Sequence, residues 1–384
     1  MKKQVMLIIE EIPPIVTIMF ILIAPFENIA RIESVYYVIF SAILFICLLF
    51  KMKVRADVSL CLLGYLLWAY ISTFWSTAEN PTSSFFTYFV VVIFLYLQIQ
   101  FDYSQDDYKR IKDAFVIQGM ILVVLCLLFG SYRDARFWIG GSTTGVDPNY
   151  LSGWFIFPIC FCVEKIVDDK IKLLWKILIT VEVLFAFYFI MRTASRAGLI
   201  ANALCIMLAI LYSIRDSVRK QPLRAVLLIG VMIGVVAALF RFMPTYTLSR
   251  LTKTVSMGDR GRIWNELLGI MRDRFYPYFV GVGFGSVAEM NSFRMTAHNT
   301  FLDLFFAEGI IGLLFILTFM YKGIKKNYQL KPYMMVGTIS MIVLVFTLSA
   351  FTTRFFMLML FLLGANFDCG EVFYITVRFS GSPD

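Results

Sequence analysis

The sequence predicts an all-α integral membrane protein of about twelve transmembrane helices, with one large extracytoplasmic loop between the ninth and the tenth. Three observations predict it. Hydrophobic residues make up 60% of the 384 positions and the mean hydropathy is +0.78, which excludes an ordinary soluble domain. Apolar runs near 18 residues recur from end to end, about the length needed to cross ~30 Å of hydrocarbon. Lysine and arginine also fall in different connecting segments, as they do when two faces of a membrane differ.

The apolar runs are 12–28, 34–50, 58–75, 84–101, 114–130, 150–166, 173–191, 197–214, 225–240, 302–321, 333–350 and 353–367. In lipid, each backbone N–H and C=O must be satisfied within its own segment, so the runs are helices. Alternating ten-residue barrel strands do not occur. The chain reads as one polytopic domain over 1–384, interrupted by a polar stretch at about 241–301. The first run follows Met1-Lys2-Lys3 without a small-residue cleavage site, which predicts a retained first helix. After Leu363 the sequence turns more polar, which predicts a short last helix. Six of the seven cysteines lie in apolar runs and none has metal-ligand spacing, so neither a disulfide framework nor a metal site is expected.

Lysines cluster in alternate connections: 51–57, 102–113, 164–172, 215–224 and 322–331. These are assigned to the cytoplasm with both termini, in a bacterial cytoplasmic (inner) membrane. Counted on that assignment, the inner face carries 15 lysines and 6 arginines, and the outer face 1 lysine and 13 arginines. Topology accounts for the lysines. It does not account for an outer face whose cations are almost all guanidinium, the group that binds phosphate through paired hydrogen bonds and stays charged at any relevant pH. The +9 formal charge is therefore two populations, and no nucleic-acid partner is expected.

The outer segments hold the candidate chemistry. GGSTTG (140–145) leads into Asp147-Pro148-Asn149, a helix-start signal in which Asp147 or Asn149 could alternatively face a sugar hydroxyl. Arg192 and Arg196 flank Thr193-Ala194-Ser195; four apart, they could share one helical face, and Arg196 is the candidate phosphate ligand. Seven arginines lie between 241 and 301: Arg241, Arg250, Arg260, Arg262, Arg272, Arg274 and Arg294. RIWNELLGIMRDRF (262–275) has helical spacing, with Ile263, Leu267, Ile270 and Met271 forming an apolar stripe that lies on the membrane surface or packs on the bundle. Gly281-Val-Gly-Phe-Gly285 lacks a βαβ context for dinucleotides; it is a flexible turn or a close backbone approach to substrate. His298, followed by Asn299, is the one histidine. Surrounding arginines disfavour imidazolium, which suits a general base. Glu182, midway along the seventh run, is the strong ionisable candidate at membrane depth and is either an arginine partner or a proton site.

These pieces together resemble the O-antigen ligase/polymerase superfamily, bacterial membrane glycosyltransferases of the GT-C type. The resemblance rests on GGSTTGVDPNYLSGWF (140–155), TASRAGL (193–199), DRGRIWNELL (259–268), GVGFG (281–285) and HNTFLDLFFAEGIIG (298–312). It implies a donor glycan on polyprenyl (undecaprenyl) pyrophosphate, a glycan or lipid acceptor, the lipid bilayer and other polysaccharide-assembly membrane proteins as partners, and no cofactor. It implies catalytic roles for Arg196, Arg262 and His298, with Arg260 two residues from the second assignment. Arg192, Arg260, Asp147, Asn149 and Asn299 are the candidate substrate-binding residues. The expected activity is metal-independent, inverting transfer to a sugar hydroxyl, as a surface polysaccharide polymerase. The alternatives are a ligase to lipid A core or another acceptor, and a transporter of lipid-linked oligosaccharide.

Overall fold

The computed structural model describes residues 2–26, 35–51, 53–140, 146–220, 241, 243–252, 258–367 and 374–376. Its helices are α1 (Lys2–Ile23), α2 (Val35–Lys51), α3 (Ser59–Ser72), α4 (Pro81–Gln98), α5 (Gln105–Phe129), α6 (Pro148–Trp154), α7 (Ile156–Val167) and α8 (Leu173–Arg192). They continue as α9 (Arg196–Lys220), α10 (Thr245–Thr252), α11 (Gly258–Asp273), α12 (Pro277–Val280), α13 (Thr300–Asn327), α14 (Pro332–Val345) and α15 (Arg354–Gly364). Strands form two ribbons: β1 (Lys53–Arg55) pairs with β4 (Tyr374–Thr376), and β2 (Gly130–Arg133) with β3 (Arg136–Ile139).

Among the described residues, seven segments are long and apolar enough to cross a bilayer, and four more apolar helices are shorter. The protein is thus a multi-pass helical membrane protein. The expected count of twelve is not reproduced as such: the run at 225–240 lies outside the described residues, and α2, α3, α14 and α15 fall short of a full span by themselves. The last helix, α15, is short, as its polar flank predicts. Helix α8 shows why water is the wrong solvent for this surface. Leu173, Leu174, Trp175, Ile177, Leu184 and Phe185 are all exposed along it, an apolar patch that a soluble monomer does not tolerate.

Buried apolar residues from α1 to α9 and from α13 to α15 merge into one core. A second, smaller cluster joins Ile263, Leu267 and Met271 of α11 to Val287, Ala297 and Phe306. The α11 stripe therefore packs on the bundle, with Ile270 at its partly buried margin. At the lysine-bearing end, Arg55 is fully buried. It donates to the carbonyls of Ile99 (3.2 Å) and Gly364 (2.7 Å) and pairs with Asp57 at 2.6 Å.

The feature that positions the opposite end is a break in α13. Gly309 has φ 67° and ψ −170°, which no helix accommodates. The break frees successive carbonyls, and each must find an outside donor in a low-dielectric setting. Val282 N–H donates to Phe306 O (2.8 Å), Gly283 N–H to Ala307 O (2.9 Å) and Trp68 Nε1–H to Glu308 O (2.8 Å). The backbones cross so closely that a Cβ on Gly309 would sit 2.1 Å from Phe279 O, and one on Gly281 would sit 2.2 Å from Ala307 O. GVGFG is accordingly neither a loose turn nor a substrate cradle; its glycines let a loop seal a broken helix.

Two carboxyls lie at depth rather than one. Glu182 is buried where α5, α7 and α8 meet, accepts from Cys162 Sγ at 3.3 Å, and has no ion-pair partner among the described residues. Of the two expected readings, an arginine partner or a proton site, the first has no counterpart among the described residues, where a thiol is the donor instead. Glu308, beside the α13 break, accepts from Tyr65 Oη at 3.0 Å, and Tyr88 Oη donates in turn to Tyr65 at 2.6 Å. Glu308 answers to the same sequence rule as Glu182, an ionisable residue in an apolar run.

Candidate functional site

The end of the bundle opposite the lysines gathers residues from four separated segments. The first is the turn between α8 and α9. Thr193 Oγ1 donates to Ile190 O (2.7 Å) and accepts from Ser195 N (3.2 Å), and Ser195 Oγ accepts from Gly198 N (3.1 Å) as a cap on α9. Ala194 between them has φ 50°. The chain thus turns sharply, Arg192 ends one helix and Arg196 begins the next, and the two do not share one face as expected. Arg192 lies instead over the rings of Tyr188 (5.1 Å) and Tyr132 (5.9 Å), a cation–π stack outside the cluster described below.

The second segment is the β2–β3 hairpin and the entry to α6. Asp134 and Ala135 both have positive φ, the backbone of a two-residue hairpin turn. Arg136 on β3 donates to Thr193 O (3.0 Å) and to Asn149 Oδ1 (3.1 Å), tying the hairpin and α6 to the arginine turn. Asp147 is the N-cap of α6 and accepts from Asn149 N at 2.7 Å. Asn149 therefore has its oxygen engaged by Arg136. Asp147 caps a helix and still acts electrostatically on His298.

The third and fourth segments are α11 and the approach to α13. Of the two arginines that the sequence left two residues apart, Arg260 acts electrostatically on His298 and feels Arg196. Arg262 is exposed and lies over the Phe293 ring at 5.6 Å. His298 is half-buried with φ 52°, a left-handed backbone that its neighbours enforce. Trp264 Nε1 of α11 donates to Ala297 O (2.7 Å), while Ala297 N–H donates to Asp303 Oδ1 (2.6 Å). Asn299 Oδ1 caps α13 by accepting from Phe301 N (3.0 Å) and Leu302 N (3.1 Å). Residues on both sides of the histidine are fixed, so the imidazole is aimed by a clamp. Asn299 serves in that clamp, with its side-chain oxygen taken up by the cap.

The electrostatics follow from this convergence. Partial desolvation, and next the charge of Arg260, hold the His298 imidazole below its ordinary range; Asp147 pulls it back up. Arg260 is itself held below the usual guanidinium range, first by burial and then by Arg196. The charged forms of both Arg260 and His298 are disfavoured here, which an anion at this end would relieve. One consequence is measurable. In Asp147→Asn, asparagine retains the helix cap but the charge that favours imidazolium is gone. If His298 must be neutral to act, the acid limb of the pH–rate profile moves to lower pH than in wild type, and an unmoved limb would separate Asp147 from the histidine.

A helical bundle of bilayer-crossing segments carries, at one end, two arginines within electrostatic reach of each other and a clamped histidine. Residues 182–317, from within α8 to within α13, match the family model described as O-antigen ligase. That stretch, about a third of the chain, contains Arg196, Arg260, Arg262 and His298, and the match supports the resemblance to the O-antigen ligase/polymerase superfamily. No curated protein matches the chain.

Proposed function

We propose that the protein is a glycosyltransferase that moves a polyprenyl-pyrophosphate-linked oligosaccharide onto a sugar hydroxyl at the extracytoplasmic face, as a surface polysaccharide polymerase. The observation that carries this reading is the convergence of Arg196, Arg260 and His298, from three separate segments, at the end of the bundle away from the lysines. Arg196 and Arg260 bind the donor's pyrophosphate and neutralise the charge that grows as the glycosidic bond breaks. His298, kept neutral, accepts the proton of the incoming hydroxyl as its oxygen attacks the anomeric carbon from the opposite side. The C–O bond to sugar forms, the C–O bond to pyrophosphate breaks, and the anomeric configuration inverts. The acceptor of a polymerase is the non-reducing end of another lipid-linked repeat, and the modest outer segment favours that over a bulky second acceptor.

The test is a gel of lipid-linked and surface glycan from cells carrying wild type or Arg196→Ala at equal protein level. A ladder that collapses to single repeats on the final acceptor supports the polymerase. Long lipid-linked chains that accumulate and never reach the acceptor identify a ligase. A wild-type pattern removes Arg196 from the chemistry and favours transport. With guanidinium in the place many glycosyltransferases give to a divalent ion, transfer in proteoliposomes also persists in EDTA; loss of activity in chelator that Mg²⁺ or Mn²⁺ restores would overturn that part of the reading.

A further inference from the structure

At the lysine-bearing end, far from the arginine cluster, α5, α7 and α8 enclose a cavity of about 470 Å³. Lys165, Lys170 and Lys172 line its mouth. The one acidic group in the lining, Asp113, is already ion-paired with Lys165. Within the lining itself, three lysines stand against one aspartate. Asp168 and Asp169 of the same connection lie outside the lining, exposed, and Asp168 accepts from Lys170 N at 2.9 Å. Lys172 also stands at the N-cap of α8 and caps none of its first amides with its side chain, so the helix adds its own positive end to the mouth.

The inner part of the cavity has the opposite character. Its walls are Ile117 and Met120 of α5 and Ile179 of α8, with the Trp175 indole at the rim. From Lys172 to Ile179 is seven residues of helix, roughly 10 Å along the axis. A cavity with cations at its mouth, an exposed tryptophan at interfacial height and an apolar floor one turn deeper matches the profile of a phospholipid from headgroup to upper acyl chain. It does not match a soluble anion, which has no use for the floor, nor a neutral lipid, which has no use for the lysines.

We propose that this cavity is a binding site for one anionic phospholipid, with the phosphate held by Lys170, Lys172 and the α8 amides, and an acyl chain lying against Ile117, Met120 and Ile179. The site is independent of the glycan-transfer reading and stands or falls without it.

Native mass spectrometry of the whole protein, released from delipidated detergent micelles, tests it. Phosphatidylglycerol and phosphatidylcholine with identical acyl chains are added in turn. The expected result is one phosphatidylglycerol retained per chain in preference to phosphatidylcholine. Lys170→Gln/Lys172→Gln should weaken that binding on the order of tenfold. Lys322→Gln/Lys325→Gln, exposed at the same end but outside the cavity, should leave it unchanged. Equal retention of the two lipids, or an equal loss in the control pair, would overturn the site in favour of diffuse surface charge. Displacement of the lipid by millimolar inorganic phosphate would overturn it in favour of a soluble anion.

Discussion

Arg260→Ala lowers the rate of glycan transfer by about 10²–10³-fold, while Arg262→Ala stays within about tenfold of wild type. The two residues differ in what surrounds them. Arg260 is partly buried, feels Arg196, and acts on His298. On the proposed reading its positive charge meets the donor's pyrophosphate in a partly dehydrated setting, where a guanidinium is worth far more than in water. Arg262 lies exposed over the Phe293 ring, two residues further along α11 and thus on a different face of it. Initial rates with a lipid-linked donor in proteoliposomes decide between them. If Arg262→Ala is the crippled variant and Arg260→Ala the mild one, the donor's diphosphate does not lie between Arg196 and Arg260.

The second large effect is at the histidine. His298→Ala lowers kcat by roughly 10²–10⁴-fold, the range for loss of a positioned base, with KM changed much less. The arginines remain in place, so the donor still binds while the acceptor hydroxyl loses its proton acceptor. Residual activity in His298→Ala should rise steadily with pH, as hydroxide and solvent take over the proton. A variant that retains wild-type kcat would leave the clamp of Trp264, Asp303 and Asn299 as a purely structural device and remove general-base catalysis from the reaction.

Much of the architecture could be read from residue order. Eleven of the apolar runs have a counterpart among the described helices, because a helix in lipid must satisfy its backbone internally and so announces itself by length and hydropathy. The α11 stripe was equally visible, since burial of Ile263, Leu267 and Met271 follows from their spacing. What the sequence could not supply was contact between segments. Arg260 and Arg262 are chemically identical and two residues apart, and only the fold brings Arg260 within electrostatic reach of Arg196. Arg136 looked like one more outer-face cation, and its two bonds to Thr193 and Asn149 emerge only when the hairpin folds back over α8. Gly281 and Gly283 suggested looseness by composition, whereas their role is set by carbonyls more than twenty residues away.

The break in α13 also bears on the order in which the protein can be assembled. The donors that answer its freed carbonyls, Trp68, Val282 and Gly283, all precede the acceptors Phe306, Ala307 and Glu308 along the chain. During synthesis from the N-terminus, every partner for that break has therefore left the ribosome before the break is made, and the seam can close as soon as α13 arrives. The β1–β4 ribbon imposes the reverse schedule. Residues 53–55 emerge early and find their pairing strand only at 374–376, so the lysine-bearing end stays unlatched until the chain has been translated past residue 376. The seam around the α13 break can close before the β1–β4 ribbon does.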